Sequence, residues 1–161
     1  KSEERQMVAF SANNKSVTSV LLKGNFPAVL SLFPENIEHE AIASVDEIVE
    51  ATKRVSLVVE GDNPIRYNFT TDQVTIKSIT SETAQASEEV TVDLIGDEIG
   101  VSLKPQFVLD GLSGIATDHV SFGFTKNQQN PTKPGPLLFT EKGDKASEFK
   151  YLLQPNLLDE N

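Results

Sequence analysis

The stretch Ser44-Val45-Asp46-Glu47-Ile48-Val49-Glu50-Ala51-Thr52-Lys53-Arg54-Val55 decides the fold. Ser44 and Glu47 form a capping box, in which the hydroxyl accepts from a free first-turn amide while the glutamate reaches back. Val45, Ile48, Val49, Thr52 and Val55 recur at helical spacing and make one apolar face. Asp46, Glu47 and Glu50 fall in the first turns, where they complement the helix dipole and read as a solvated face. A helix is therefore predicted over 45–57. A strand-like run at 37–43 precedes it. Past the breaker Gly61-Asp62-Asn63-Pro64, the runs 65–70 and 73–80 alternate at period two around Thr71-Asp72 and read as a hairpin.

The same order then returns. Runs 88–95 and 98–103 flank Gly96-Asp97 as another hairpin. Lys104-Pro105 opens a second helix, predicted over 104–116, with proline placed where its missing N–H matters least. Phe107, Val108, Leu109, Leu112 and Ile115 supply its apolar side. Gly111 and Gly114 weaken it as an isolated helix, so packing must hold it. Strands at 120–124, 137–139 and 149–153 follow, with a polar, proline-rich loop at 127–135 between the first two. From residue 37 onward the pattern is β-α-β-β, twice. Two helices, each with one apolar stripe, on one face of a mostly antiparallel sheet define an α+β layered domain.

Upstream, 6–11 and 16–22 read as a hairpin around Ala12-Asn13-Asn14-Lys15. Gly24-Asn25-Phe26-Pro27 breaks the pattern and an apolar connector runs to Pro34. This divides the chain into a hairpin-plus-connector piece, 1–34, and a domain, 35–161. The 161 residues fit one ordinary domain, or one plus a fragment. With 14 Lys+Arg against 24 Asp+Glu, the net charge of −10 argues against wrapping nucleic acid with the whole surface. There is no cysteine, which excludes disulfides, cysteine–zinc sites and a thiol nucleophile. No stretch approaches the roughly 18 apolar residues of a membrane span.

Catalytic constellations are absent from the sequence. His39 and His119, the only histidines, lie far apart and each reads as a surface or rim histidine. Asp93, Asp97 and Glu98 bracket a hairpin turn, and turn chemistry explains them. No phosphate-loop, nucleophile-elbow or zinc-protease motif occurs. No metal site and no cofactor are expected. Two apolar features stand out instead: the connector Phe26-Pro27-Ala28-Val29-Leu30-Ser31-Leu32-Phe33-Pro34, and the end Tyr151-Leu152-Leu153-Gln154-Pro155-Asn156-Leu157-Leu158.

In this order, these features resemble the beta sliding clamp of bacterial DNA polymerase III. The connector matches at Gly24-Asn25-Phe26-Pro27 and Pro34, the second helix at Val108-Leu109-Asp110-Gly111-Leu112, the end at Tyr151–Leu158, and Lys133-Pro134 fits before the penultimate strand. Gln154 and Leu157 stand where the family's terminal motif carries Met and Arg. The resemblance implies a C-terminal fragment: the last hairpin of the second clamp domain, then the third domain. It implies a non-catalytic, cytoplasmic processivity factor that forms a homodimeric ring around duplex DNA. The DNA polymerase III catalytic subunit and the clamp loader would bind through short peptides. Carried over by position, the peptide pocket is Pro27, Ser31, Leu32, Phe107, Pro134, Leu152, Gln154 and Pro155. Lys53, Arg54 and Lys104 would face DNA, and Ser56 and Leu57 would lie in the dimer interface. The residues alone also fit a non-enzymatic α+β protein-interaction module acting through its apolar tail.

Overall fold

The computed structural model describes residues 6–79, 85–126, 133–143 and 148–156. The loop expected at 127–135 therefore lies outside them except for its last three residues, as do Thr80 and the terminal Leu157 and Leu158. The chain divides into two compact units, Lys1–Leu32 and Phe33–Asn161.

The first unit holds the hairpin β1 (Met7–Ala12) and β2 (Lys15–Val20), in register from Met7↔Val20 to Ala12↔Lys15. Asn13 and Asn14 both take positive φ, 47° and 61°, which gives the tight turn whose twist matches paired strands. The second strand stops at Val20, short of the expected residue 22. A 3₁₀ turn, Val29–Leu32, ends the unit, with the Ser31 hydroxyl donating to the Ala28 carbonyl at 2.7 Å.

The second unit follows the predicted order. It contains β3 (His39–Ser44), α1 (Val45–Ser56), β4 (Ile65–Phe69), β5 (Gln73–Ser78), β6 (Ser87–Ile95) and β7 (Ile99–Leu103). Then come α2 (Pro105–Ser113), β8 (His119–Phe124), β9 (Leu137–Lys142) and β10 (Lys150–Leu153). Ser44 caps α1 and accepts from the Glu47 amide, as the capping box predicts. α2 stops at Ser113, not at 116, so Ile115 lies beyond it. β9 runs to Lys142, three residues past the predicted end.

The eight strands pair in the order β10-β9-β8-β3-β6-β5-β4-β7, all antiparallel. Each repeat lends its first strand to the other: β3 pairs with β8, and β7 pairs with β4. β6 joins the halves by changing partner along its length. Its first part pairs with β5 up to Thr91, and its last part with β3 from Val92.

α1 and α2 pack against each other, α1 also against β3, β5 and β6, and α2 also against β10. Ile48, Ala51 and Val55 of α1, with Val108 and Leu112 of α2, enter one buried cluster with the inward residues of the sheet. Both helices thus bury their stripes in a single core, as one sheet face with two amphipathic helices requires. Inside it, the Thr52 and Tyr67 hydroxyls hydrogen-bond at 3.0 Å, so neither buried group is orphaned. Phe107 stands apart from the rest of its helix face and is 45% exposed.

The α2 glycines are close-approach positions. A Cβ on Gly111 would lie 2.6 Å from Cδ1 of Tyr151 and 3.0 Å from Phe139, and one on Gly114 would meet the Phe149 ring. Aromatic rings therefore lie directly on the helix backbone. Ala for Gly in an exposed helix stabilises by about 1 kcal/mol, whereas overpacking costs about 1–3 kcal/mol. Gly111→Ala is expected to destabilise the domain by roughly 1–2 kcal/mol in urea unfolding. The exposed Ser113→Ala is expected to shift it by less than about 0.5 kcal/mol. A stabilised Gly111→Ala protein would show that the rings do not press on α2.

Candidate functional site

The three cations singled out in the sequence each have a carboxylate partner. Lys53 Nζ lies 3.1 Å from Glu50, Arg54 donates to Glu88 at 2.9 Å, and Lys104 Nζ sits 3.8 Å from Asp62. Glu88 holds the Arg54 guanidinium above its usual pKa and is itself held below the carboxylate range by that bond. The exposed side of α1 carries Asp46, Glu47 and Glu50 beside Lys53 and Arg54, and α2 adds Asp110. Four acids against three bases, counting Lys104 at the start of α2, leave the helical face without positive excess.

Ser56 ends α1 and donates to the Lys53 carbonyl at 2.7 Å. Leu57, the next residue, projects with 83% exposure. Nothing within this unit buries it.

Lys104 and Phe107 share a cleft of about 390 Å³ between the turn after α1 and the first turn of α2. Val59, Pro105, Phe107 and Leu109 give it apolar walls, and Ser56, Asp62 and Lys104 line its polar side. The Lys104 ammonium sits 5.9 Å from the centroid of the Phe107 ring. Val59 and Asp62 escaped the sequence reading. Asp62 sits in the breaker and Val59 just before it, in a segment that reads as a mere connection, and only folding brings it beside α2.

The other pocket candidates of this unit gather where β9 and β10 meet. Pro134 forms an isolated bridge with Lys126, which extends the β8–β9 pair. Leu153 pairs with Leu137 at the start of β9, so the segment after β10 leaves from that same end. Tyr151 lies on α2 at Gly111, so Leu152 points to the opposite face of the sheet, where it sits across from Leu138. Gln154 is exposed and Pro155 is buried. The Asn156 amide donates to the Ser102 carbonyl at 2.8 Å, which pins the tail to β7 two residues before Lys104. Pro27, Ser31 and Leu32 are exposed within the first unit.

The histidines do not converge. In the β3–β8 pairing His39 faces Phe124 and His119 faces Ser44, at opposite ends of the ladder. His39 Nδ1 accepts from the Asp97 amide at 3.0 Å, and its ring fills the space a Cβ on Gly96 would need. It fastens the β6–β7 turn, where Gly96 takes a φ of 118°. Among the described residues no three His, Asp or Glu side chains form a group able to hold a metal.

A charged cluster missed in the sequence lies on the sheet face away from the helices. Ser121 Oγ donates to Glu40 Oε1 at 2.6 Å, and Lys142 Nζ reaches the same oxygen at 2.9 Å. The three residues come from three different strands, and no local pattern announces them.

The geometry on hand is a folded antiparallel sheet carrying two mutually packed helices, the domain type of DNA clamps. Solved clamps share it. The C. crescentus beta sliding clamp aligns over 96% of this chain and 40% of its own, with a TM-score of 0.82 at 24% identity. A Bartonella birtlesii sliding clamp bound to griselimycin aligns over 94% of this chain and 39% of its own, with a TM-score of 0.81 at 17% identity. In sequence, the beta sliding clamp of Streptomyces coelicolor is 33% identical over 149 residues, 92% of this chain. Residues 30–152 match the family of the DNA polymerase III beta subunit, C-terminal domain, and the chain belongs to that family. It spans 39% of the length of the S. coelicolor relative.

Glu40 gives this unit a pH signature. The Ser121 hydrogen bond first, then Lys142, hold its carboxyl below the usual 4.5. A depressed carboxylate contributes stability that is present above its unfolded pKa and lost as pH falls through the folded one. The stability advantage of wild type over Glu40→Gln is therefore expected to be fully present at neutral pH. It should shrink as pH falls below 4.5 and be lost as pH falls through the lowered folded-state value. Urea midpoints of the two proteins across that range check this, and a constant difference would contradict it.

Proposed function

We propose that this chain is the C-terminal part of a ring-forming replication clamp subunit. Residues 1–34 close the preceding domain and connect it to the last domain, 35–161. In the intact protein two subunits join head to tail around duplex DNA in the cytoplasm. The ring does no chemistry. It keeps the DNA polymerase III catalytic subunit on its template by topology, and sliding needs only mobile, base-independent contacts with phosphate. The observation that carries this reading is the pair of helices packed side by side in one core, in a chain of the beta subunit family. In a ring of such domains the helices line the hole and the sheets form the rim.

Ser56 and Leu57 belong to the subunit interface on this reading, and the 83% exposure of Leu57 supports it. Leu57→Asp in the full-length protein places an unpaired carboxylate in an apolar contact, at a cost of several kcal/mol. Sedimentation is expected to show monomers. Wild type loaded on circular DNA should stay bound until the circle is cut, and Leu57→Asp should not be retained. Equal loss of wild type from circular and linear DNA would reject the ring.

On this reading the polymerase and clamp loader bind through a short apolar peptide. The residues proposed to meet it are Pro27, Ser31 and Leu32 of the first unit, and Phe107, Pro134, Leu152, Gln154 and Pro155 of the second. The anchoring of Asn156 to Ser102 supports this, because it holds the tail beside the start of α2. The Bartonella birtlesii clamp, of the same fold, was crystallised bound to griselimycin. In the intact protein, Leu32→Ala with Leu152→Ala is expected to cost roughly 2–4 kcal/mol of peptide affinity. Calorimetric titration with a thermal melt of the same variant separates this from loss of fold. Affinity within twofold of wild type would refute the assignment.

A further inference from the structure

We propose that Lys104 reads an acidic residue of the bound peptide, and does not face DNA. The inference rests on the peptide-pocket reading and names the chemistry that pocket selects. Of the three cations, Lys104 alone lines the cleft, with its ammonium 5.9 Å from the Phe107 ring centroid. Lys53 and Arg54 are held outside it by Glu50 and Glu88 at 3.1 and 2.9 Å.

The partner that Lys104 has now is replaceable. Asp62 sits 3.8 Å away and is 93% exposed, and so solvated an ion pair adds almost nothing. Lys104 itself is only 33% exposed, with its ammonium over the Phe107 ring. A carboxylate delivered alongside an apolar side chain would meet this ammonium where water is partly excluded. There a charge-assisted bond is stronger than on open surface. The lining favours a peptide over a nucleic-acid strand. Its walls are Val59, Pro105, Phe107 and Leu109, and among the described residues no second cation lines the cleft to hold a run of phosphates. One apolar anchor beside one carboxylate fits this composition.

The test uses the full-length protein and two fluorescein-labelled decapeptides. One carries two leucines flanking an aspartate, and the other has asparagine in its place. Fluorescence anisotropy is expected to show wild type binding the aspartate peptide about tenfold more tightly than its twin. Lys104→Gln should bring that ratio below about twofold, and Lys104→Glu should invert it. Phe107→Ala should weaken both peptides alike and leave the ratio standing. Thermal melts of each variant guard against loss of fold. A ratio unchanged in Lys104→Gln overturns the proposal, and if that variant instead leaves circular DNA faster, Lys104 belongs to the DNA face. If neither peptide binds wild type, or Phe107→Ala alters neither affinity, the peptide-pocket reading itself fails.

Discussion

Phe69 touches two rings that a flat sheet would keep far away. It lies on β4, while Phe122 and Phe124 lie on β8, and β3, β6 and β5 stand between. Four strand spacings in a flat sheet amount to about 19 Å. The ring centroids are 5.6 and 4.9 Å apart. The sheet must therefore fold over on itself, and this contact is its seal. The series continues from Phe122 to Phe139 and Tyr151 at 4.9 and 5.6 Å, and ends against the backbone of α2 at Gly111. Sheet curvature, the seat of α2 and the position of the last strand all follow from one run of edge-on and tilted rings. Such geometry suits aromatic quadrupoles and contributes beyond burial alone.

The parts of this fold that sequence makes legible are those encoded within a turn or two of chain. Ser44 and Glu47 mark the start of α1, and Pro105 marks that of α2, because capping and proline act locally. Asn13-Asn14 and Gly96-Asp97 mark their turns because positive φ is a property of single residues. The end of α2 was misread by three residues. Nothing near Ile115 tells that Phe149 will press on Gly114. The loan of β3 and β7 between repeats is likewise silent, since alternation says which face is apolar and not which strand lies alongside.

The candidate site divides in the same way. Apolar anchors such as Leu152 and Phe107 stand out because a polar surface makes them conspicuous. Their settings do not: Leu138 becomes the neighbour of Leu152 only through register, and Asp62 meets Lys104 only through folding. Charge is the least legible quantity. Lys53, Arg54 and Lys104 look like a sparse basic face in sequence, but each is answered by a carboxylate, one of them 34 positions away. A helix face so neutralised carries ion pairs in place of free positive charge.

The exchange of first strands has a mechanical consequence. Only one half of the sheet is a continuous piece of chain: β4, β5, β6 and β7 follow one another, whereas β8, β9 and β10 close on β3 from the other repeat. β6 is spliced into both halves, and Asn156 latches the tail onto β7. To strip one repeat is to take a strand away from a partner in the other: β8 loses β3, or β4 loses β7. Such a domain is interlocked like a clasp. Loosening of either repeat therefore unpairs an edge of the other, and the two are coupled through their borrowed strands.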